Sequence, residues 1–304
     1  MKKKIIIIGG TGFIGFHLAK FLIKKNYEVI SVSRKNPKKI RFLKKVKYIK
    51  VNIVQKKKLL KSLKKYLDTD YIINCGGEVE HKKKKKKTIL SHFNGSINIA
   101  NIFLNKPLKK FIQIGSGLEY GSLKSPQSEN ALCNPESNYS KAKYLASKSL
   151  LNLYKNYNLP LVLIRPYQLY GPAQDTNRLI PFVIKACLQN KHFPCSEGKQ
   201  YRDFLYIDDF VNFIFKIIRK DNIKGEIFNV GYGRPEQIKK IIYKITKIIN
   251  KGRPKFGKIK LRTEENLITY ANIKKAMRFT EWKPKVKLIS GLQKTIKYYK
   301  KLYL

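Results

Sequence analysis

A tyrosine and a lysine four residues apart, Tyr139 and Lys143, carry the clearest chemistry in this sequence. On a helix this spacing brings both side chains to one face. The lysine cation favours the ionised phenol and lowers the tyrosine pKa from about 10, so the phenol becomes a usable acid or base near neutral pH. The pair therefore indicates proton transfer to or from a substrate oxygen.

The pattern alone does not decide the site, because lysine is so common in this chain. It occurs five times, starting at Tyr120, Tyr139, Tyr144, Tyr243 and Tyr270. The Tyr120 pair spans a segment with glycine and proline, and the last two lie outside the binding edge expected for the sheet. Tyr144 shares a predicted helix with Tyr139 but is rotated from it by about 140°. Position therefore selects Tyr139, at the start of the helix after the fifth predicted strand.

A glycine-rich turn follows the first strand, with glycine at positions 9, 12 and 15. Gly9 permits the tight turn, Gly12 lets the backbone approach a pyrophosphate, and Gly15 lets the helix pack close to the strand. The helix N-terminus then offers free N–H groups and a positive dipole end. This order of strand, turn and helix favours dinucleotide binding over a tight turn without a ligand.

Strands and helices alternate through the first half of the chain. The predicted strands are Ile5–Ile8, Glu28–Val32, Lys47–Val51, Tyr71–Asn74, Lys109–Gly115 and Leu161–Arg165. Helices are predicted from Phe13 and over Leu59–Leu67, Ile89–Leu104, Asn138–Tyr157, Leu179–Asn190, Asp208–Lys220, Pro235–Asn250 and Leu288–Leu302. The alternation predicts an α/β fold, a doubly wound parallel Rossmann sheet (residues 1–170), with a smaller, partly interleaved α/β substrate lobe (residues 171–304).

Composition limits the class of protein. The chain has 304 residues and a formal charge of +47, but only ten of its 66 basic residues are arginine. Lysine spread over the whole chain indicates compositional drift rather than a nucleic-acid surface, since arginine reads phosphate and base edges better. The block Lys82–Lys87 fits either a solvated loop or an electropositive lip for an anionic substrate. Four cysteines without metal-ligand spacing, and no apolar run near the ~20 residues of a membrane span, predict a cytoplasmic protein with no metal site.

Eight segments together resemble the extended short-chain dehydrogenase/reductases, the NAD-dependent epimerase/dehydratase family that modifies nucleotide sugars. They are Gly9–Gly15, Gly115–Gly121, Tyr139–Lys143, Arg165–Pro172, Arg178–Pro181, Gln200–Phe204, Phe228–Gly231 and Trp282–Pro284. The resemblance spans almost the whole chain, and the combination is far more specific than any single motif. It implies a two-fold dimer that pairs through the helices predicted at Ile89–Leu104 and Asn138–Tyr157.

The resemblance also implies roles for individual residues. Ser116 would hold the sugar hydroxyl or carbonyl, Tyr139 would exchange its proton, and Lys143 would lower the tyrosine pKa and bind the nicotinamide ribose. The cofactor set is Gly9, Thr11, Gly12, Phe13, Ile14, Gly15, Ser33, Arg34, Asn52, Ile53, Tyr139, Lys143, Pro166 and Tyr167. The substrate set is Ser116, Gly117, Arg178, Arg202 and Arg262. Arg202 would read the substrate diphosphate; its alternative role is an ion pair with Asp203 or Asp208.

Departures from the family pattern narrow the chemistry. Gly117 and Leu118 stand where family dehydratases carry acids, which disfavours 4,6-dehydration. The second strand leads into Ser33 and Arg34 rather than an acid for a ribose 2′-OH, which favours NADP over NAD. Asn52 stands where the family usually has Asp. His92 stands where the family usually has Asn, and the sequence leaves open whether the histidine fills the same structural role.

Three functions remain in view. The favoured one is NADPH-dependent reduction of the keto group of a nucleotide-linked 4-keto-6-deoxy sugar. The second is a nucleotide-sugar 4-epimerase that keeps its NAD tightly bound. The third is a non-catalytic basic Rossmann scaffold that binds RNA, against which an intact Ser116, Tyr139 and Lys143 set argues. The partners expected are therefore a nucleotide sugar and a second copy of the chain, with nucleic acid and membrane disfavoured.

Overall fold

The computed structural model describes residues 2–77, 88–261 and 266–304. Its strands are β1 Lys4–Ile8, β2 Glu28–Ser33, β3 Val46–Lys50, β4 Tyr71–Asn74, β5 Lys110–Ile114, β6 Leu161–Pro166, β7 Gln168–Tyr170, β8 His192–Pro194, β9 Tyr201–Tyr206, β10 Ile227–Val230, β11 Pro235–Gln237, β12 Arg253–Lys255 and β13 Ile268–Thr269. The α-helices of these residues are α1 Phe13–Lys24, α2 Lys56–Leu63, α3 Gly95–Phe103, α4 Asn138–Tyr157, α5 Leu179–Leu188, α6 Ile207–Arg219, α7 Ile238–Ile249, α8 Lys274–Thr280 and α9 Leu288–Tyr303.

A seven-stranded sheet in the order β10-β6-β5-β4-β1-β2-β3 forms the centre of the fold. The pairings from β3 through to β6 are parallel. Strand β1 is buried: all four of its isoleucines are at most 1% exposed, as expected for a strand covered on both faces. The strand order reverses beside β1, between β4 and β2, and ligands bind at the carboxyl ends of such a switch point. The predicted α/β Rossmann class is therefore confirmed.

One compact unit contains the described residues up to Gly121, together with Leu132–Pro166 and Phe213–Phe228. Helices α3 and α4 pack side by side in this unit. Helix α4 begins where the Ser137 hydroxyl accepts the Ser140 N–H at 3.1 Å, and it ends at Asn158 in the left-handed conformation. These two caps explain why α4 matches the predicted range residue for residue.

The second unit contains Ser122–Ala131, Tyr167–Asn212 and the described residues from Asn229 on. Its small sheet has the order β11-β9-β13, with β7 also paired to β9. Arg202 in β9 lies opposite Glu236 of β11 on one side and Thr269 of β13 on the other. Helices α5, α7 and α9 pack against one another in this unit.

Three predicted helices differ from the observed elements. The helix predicted over Leu59–Leu67 is α2, which begins at Lys56 and gives way to a 3-10 turn at Lys64–Tyr66. The segment predicted as one helix from Pro235 begins as strand β11, because those three residues pair antiparallel with β9, and α7 starts only at Ile238. Within the predicted Ile89–Leu104 helix, Leu90–Asn94 forms a π-helical turn before α3. The Lys82–Lys87 block lies outside the described residues. In the described part of the chain, no helix combines the length and the apolar character needed to cross a membrane.

Candidate active site

The turn after β1 brings bare backbone to the carboxyl end of the sheet. Gly9 has a φ of +74°, and its N–H donates to the Val32 carbonyl at 2.8 Å. A Cβ on Gly15 would lie 2.5 Å from the Gly9 oxygen, so only glycine lets α1 approach this closely. Gly12 is the N-cap of α1 and has no side-chain cap, and Phe13 and Ile14 form the first helical positions. This cradle fits the pyrophosphate of a dinucleotide.

The end of β2 lies directly beside this turn. The Ser33 hydroxyl accepts the Thr11 N–H at 3.3 Å, and Arg34 follows as an exposed residue. Arg41, which the sequence did not single out, is only 4% exposed, and its Nη1 lies 3.5 Å from the Thr11 carbonyl oxygen. The structure thus places a buried guanidinium beside the predicted cofactor residue Thr11.

The loop after β3 carries two further predicted cofactor residues. The Asn52 side chain accepts the Val54 N–H at 3.2 Å, which closes a local turn. The Asn98 amide donates to the Ile53 carbonyl at 2.9 Å, and Gly95 leaves room for the Ile53 side chain, since a Cβ there would lie 2.5 Å from its Cδ1. The helix that follows β4 therefore fixes this loop.

Tyr139 and Lys143 lie on the first turns of α4, as predicted. Lys143 is 4% exposed, and its Nζ donates to the Ile114 carbonyl at 2.7 Å and lies 6.0 Å from the centre of the Tyr139 ring. Burial lowers the Lys143 pKa from 10.5 to about 8, while Glu119 and Cys75 act in the opposite direction. The cation thus sits at the end of β5, two residues before Ser116.

Ser116 begins a short 3-10 turn at Gly117–Tyr120 and is 8% exposed. Its hydroxyl accepts the Leu118 N–H at 3.1 Å, while its own N–H donates to Glu119 Oε1 at 2.8 Å. Glu119 is fully buried, and its other oxygen accepts a hydrogen bond from Arg165 Nε at 3.2 Å. Glu119 therefore links the turn after β5 to Arg165 of β6, and both of its carboxylate oxygens are used in these two hydrogen bonds.

His92 occupies the π-helical turn and contacts Tyr139 directly. The two rings are 5.1 Å apart at 89°, an edge-to-face contact, and His92 is 2% exposed. Gly77 also lies against the imidazole, since a Cβ at Gly77 would lie 2.0 Å from its Cε1 and Nδ1 atoms. The sequence flagged this position as a departure from the family pattern, and the structure puts it against the ring of the proposed acid.

The remaining predicted residues lie at the end of β6 and in the second unit. Pro166 ends β6, and the Tyr167 hydroxyl donates to Gln127 Oε1 at 2.7 Å. Arg178 is the N-cap residue of α5, and the Arg202 Nη1 donates to its neighbour's carbonyl, Tyr201, at 2.8 Å. Arg262, the other predicted substrate residue, lies outside the described residues.

Comparison with known proteins agrees with this geometry. The family model described as "NAD dependent epimerase/dehydratase family" matches residues 5–231. The "Uncharacterized UDP-glucose epimerase YtcB" of Bacillus subtilis is 28% identical over 99% of both chains. A "dTDP-D-glucose 4,6-dehydratase" of Dictyostelium discoideum is 31% identical over 75% of this chain, and the match covers 58% of that protein.

A solved structure shares the fold along the whole chain. The UDP-glucuronic acid 4-epimerase of Bacillus cereus, in complex with UDP-glucuronic acid and NAD, superposes with a TM-score of 0.88 at 28% identity, covering 99% of this chain and 100% of that one. The glycine turn, the tyrosine–lysine pair, the sheet order and the family match all point the same way. The chain belongs to the NAD-dependent epimerase/dehydratase family.

Proposed function

We propose that this chain is an oxidoreductase that reduces the keto group of a nucleotide-linked 4-keto-6-deoxy sugar with NADPH. The observation that supports it most is the placement of Tyr139 beside a buried lysine at the strand end that leads to Ser116. A bound nicotinamide dinucleotide would supply the hydride chemistry, held by the glycine turn from Gly9 to Gly15. Arg178 and Arg202 are proposed to bind the diphosphate of the sugar nucleotide, since guanidinium groups suit phosphate.

The proton is handled by residues of this chain. Tyr139 donates its phenolic proton to the sugar oxygen, which would otherwise carry a negative charge as the keto group is reduced. The Lys143 cation favours the ionised phenol that results, and Ser116 holds the sugar oxygen by a hydrogen bond. Tyr139 and Ser116 act at the sugar oxygen and Lys143 acts on the phenol, so the proposed reaction uses no covalent bond between the protein and the sugar.

Dehydration is disfavoured by the turn after β5. A 4,6-dehydratase needs an acid that can protonate a departing hydroxyl. Within Gly115–Gly121 the only acidic residue is Glu119, which is fully buried and bonded to Ser116 N and Arg165 Nε. Both of its oxygens are therefore occupied by protein donors away from solvent, so it is poorly placed to act as the acid for this step.

A 4-epimerase is the second candidate, because the solved epimerase of similar fold carries NAD and a UDP sugar. Two features of this chain favour the reductase instead. Arg34 follows β2 where an NAD enzyme of this fold needs an acid, and the buried Arg41 adds a second cation beside the turn. Both arginines suit the 2′-phosphate of NADP. An enzyme that catalyses net reduction normally uses NADPH as its hydride donor.

A screen distinguishes the candidates. Purified protein would be tested for thermal stabilisation by UDP- and dTDP-linked sugars, each with and without NADPH, and then for NADPH consumption. The reductase predicts joint stabilisation and oxidation of NADPH only with 4-keto sugars. Interconversion of 4-hydroxyl epimers by protein that copurifies with NAD would overturn it in favour of the epimerase. Formation of a 4-keto-6-deoxy product from dTDP-glucose would contradict the argument from Glu119.

A further inference from the structure

A single carboxylate joins three segments of the second unit. Asp203 lies in β9 and is fully buried. Its Oδ1 accepts the Tyr232 N–H at 2.6 Å, and its Oδ2 accepts the N–H groups of Gly233 at 3.0 Å and Ala271 at 3.1 Å. Gly231 leaves just enough room, because a Cβ there would lie 2.2 Å from Oδ2. One side chain therefore fixes the turn that leads into β11 and the segment that leaves β13.

Those two segments hold the neighbouring Arg202. Strand β11 and strand β13 flank Arg202, through Glu236 and Thr269 respectively. The Arg202 guanidinium donates to the Tyr201 carbonyl at 2.8 Å and lies 3.4 Å from the carbonyl of Leu267, which directly precedes β13. A shift of the segment around β13 would therefore move a carbonyl that orients this guanidinium.

We propose that Asp203 is a positioning residue for nucleotide-sugar binding, which acts by holding both flanking segments so that Arg202 is presented to the substrate diphosphate. This inference rests on the proposed function, in which Arg202 binds that diphosphate. Asp203 itself touches no substrate, because its carboxylate is buried and occupied by backbone N–H groups. Its effect is therefore on substrate affinity and not on the proton transfer at Tyr139.

A second buried carboxylate in the same unit, Asp209, provides a matched control. Asp209, in α6, is 3% exposed, and its Oδ2 accepts the N–H groups of Lys285 at 3.0 Å and Val286 at 2.8 Å. It resembles Asp203 in burial and bonding, but the segment it holds lies away from β11 and β13 in the sequence. Its loss should cost stability without a selective loss of affinity.

The test compares Asp203→Asn, Asp209→Asn and Arg202→Ala. An asparagine at 203 keeps one acceptor but turns its NH2 group toward an N–H donor. Binding of UDP-glucose and dTDP-glucose would be measured by calorimetry, NADPH binding by fluorescence, and kcat and KM with a 4-keto substrate found in the screen. For Asp203→Asn we expect nucleotide-sugar affinity to fall about tenfold and KM to rise by about the same factor. The kcat and the NADPH affinity should stay within about twofold of the wild type.

The outcomes separate the inference from the proposed function. Unchanged sugar-nucleotide affinity in Asp203→Asn, with weakened affinity in Arg202→Ala, overturns the inference alone. Equal loss in Asp209→Asn and Asp203→Asn also overturns it, since general loosening then explains the effect. Unchanged affinity in Arg202→Ala, or no binding by the wild type, overturns the proposed role of Arg202 and the inference with it. If Asp203→Asn does not fold, Gly231→Ala pushes the same carboxylate while keeping its charge, and should weaken sugar-nucleotide affinity in the same selective way.

Discussion

At the scale of single residues, Tyr139 and Lys143 divide the proposed proton transfer between a half-buried phenol and a buried cation. The phenol remains near enough to the surface to meet a substrate. The Lys143 Nζ donates to the Ile114 carbonyl at 2.7 Å, and this hydrogen bond holds its charge 6.0 Å from the centre of the Tyr139 ring. Substitutions at the two positions should consequently have different effects.

Tyr139→Phe should lower kcat by about 10²–10⁴-fold, because it keeps the ring but removes the proton. Cofactor affinity should stay nearly unchanged, as measured by NADPH fluorescence. Tyr144→Phe is the control, since Tyr144 lines a separate cavity of about 240 Å³ with Lys148 and Leu151 on the same helix. A silent Tyr139→Phe together with a damaging Tyr144→Phe would show that the acid has been assigned to the wrong residue.

The Lys143 pKa of about 8 predicts how the rate depends on pH. The group is charged below this value and becomes neutral as the pH rises through it. Above pH 8 the phenolate of Tyr139 therefore loses its stabilising cation, and kcat/KM for reduction should fall. The measurement is a pH profile of kcat/KM for the wild type and for Lys143→Met. A profile in which the variant keeps the same alkaline limb would rule out Lys143 as its source.

Residue types at the site could be predicted from the sequence where spacing and position agreed, as for Tyr139 and the glycine turn. Arg41 could not, because its burial depends on a short 3-10 turn at Lys39–Arg41 that folds back onto the Thr11 carbonyl. Glu119 was also missed as a partner of Arg165, since 46 residues separate them in the sequence. Contacts of this kind follow from the sheet order, which a linear pattern does not contain.

At the scale of elements, we predict that the end of β2 sets the preference between NADP and NAD. Arg34→Ala and Arg41→Ala should each weaken NADP binding by roughly tenfold to a hundredfold while changing NAD binding much less, because one charge-assisted contact to a 2′-phosphate is lost. Lys39→Ala is the control, as an exposed cation in the same short turn as Arg41. Titrations with both cofactors measure the effect, and equal losses for the two would mean that the arginines serve the fold or the general surface charge.

Long buried strands were predictable, while short strands of the second unit were not. Ile5–Ile8 is a continuous apolar run, Tyr71–Asn74 is apolar up to its last residue, and both are strands in the structure. Strand β11, in contrast, has the sequence Pro-Glu-Gln, which has little strand propensity of its own. It exists because β9 offers a paired edge, with Glu236 opposite Arg202. Tertiary pairing overrides local propensity there.

At the scale of the whole molecule, we predict a two-fold dimer that pairs through α3, α4 and the turn before α3. Leu145 on α4 is 40% exposed, and Ile97, Leu104 and Leu153 are only partly buried. Ala100 and Ala146 on the same two helices are buried in the core. The apolar surface available to a partner therefore consists of the larger side chains of these helices.

Light scattering at micromolar concentration should give the mass of two chains, and Leu145→Glu should shift it toward one chain, because a charge in an apolar interface is costly. Leu132→Glu is the control, since Leu132 is 90% exposed in a loop. A wild-type mass of one chain would refute the dimer.

Strand β10 has a consequence for how the protein is made. It completes the central sheet beside β6, yet roughly 60 residues are synthesised between the two strands, and those from Tyr167 to Asn212 belong to the other unit. At typical rates of about 5–20 residues per second, the nascent chain waits several seconds with the outer edge of β6 unpaired. An unpaired edge is a template for pairing with other chains. A gene fragment that stops after β6 should therefore yield aggregating protein, whereas one that continues through Val230 supplies β10, which covers this edge.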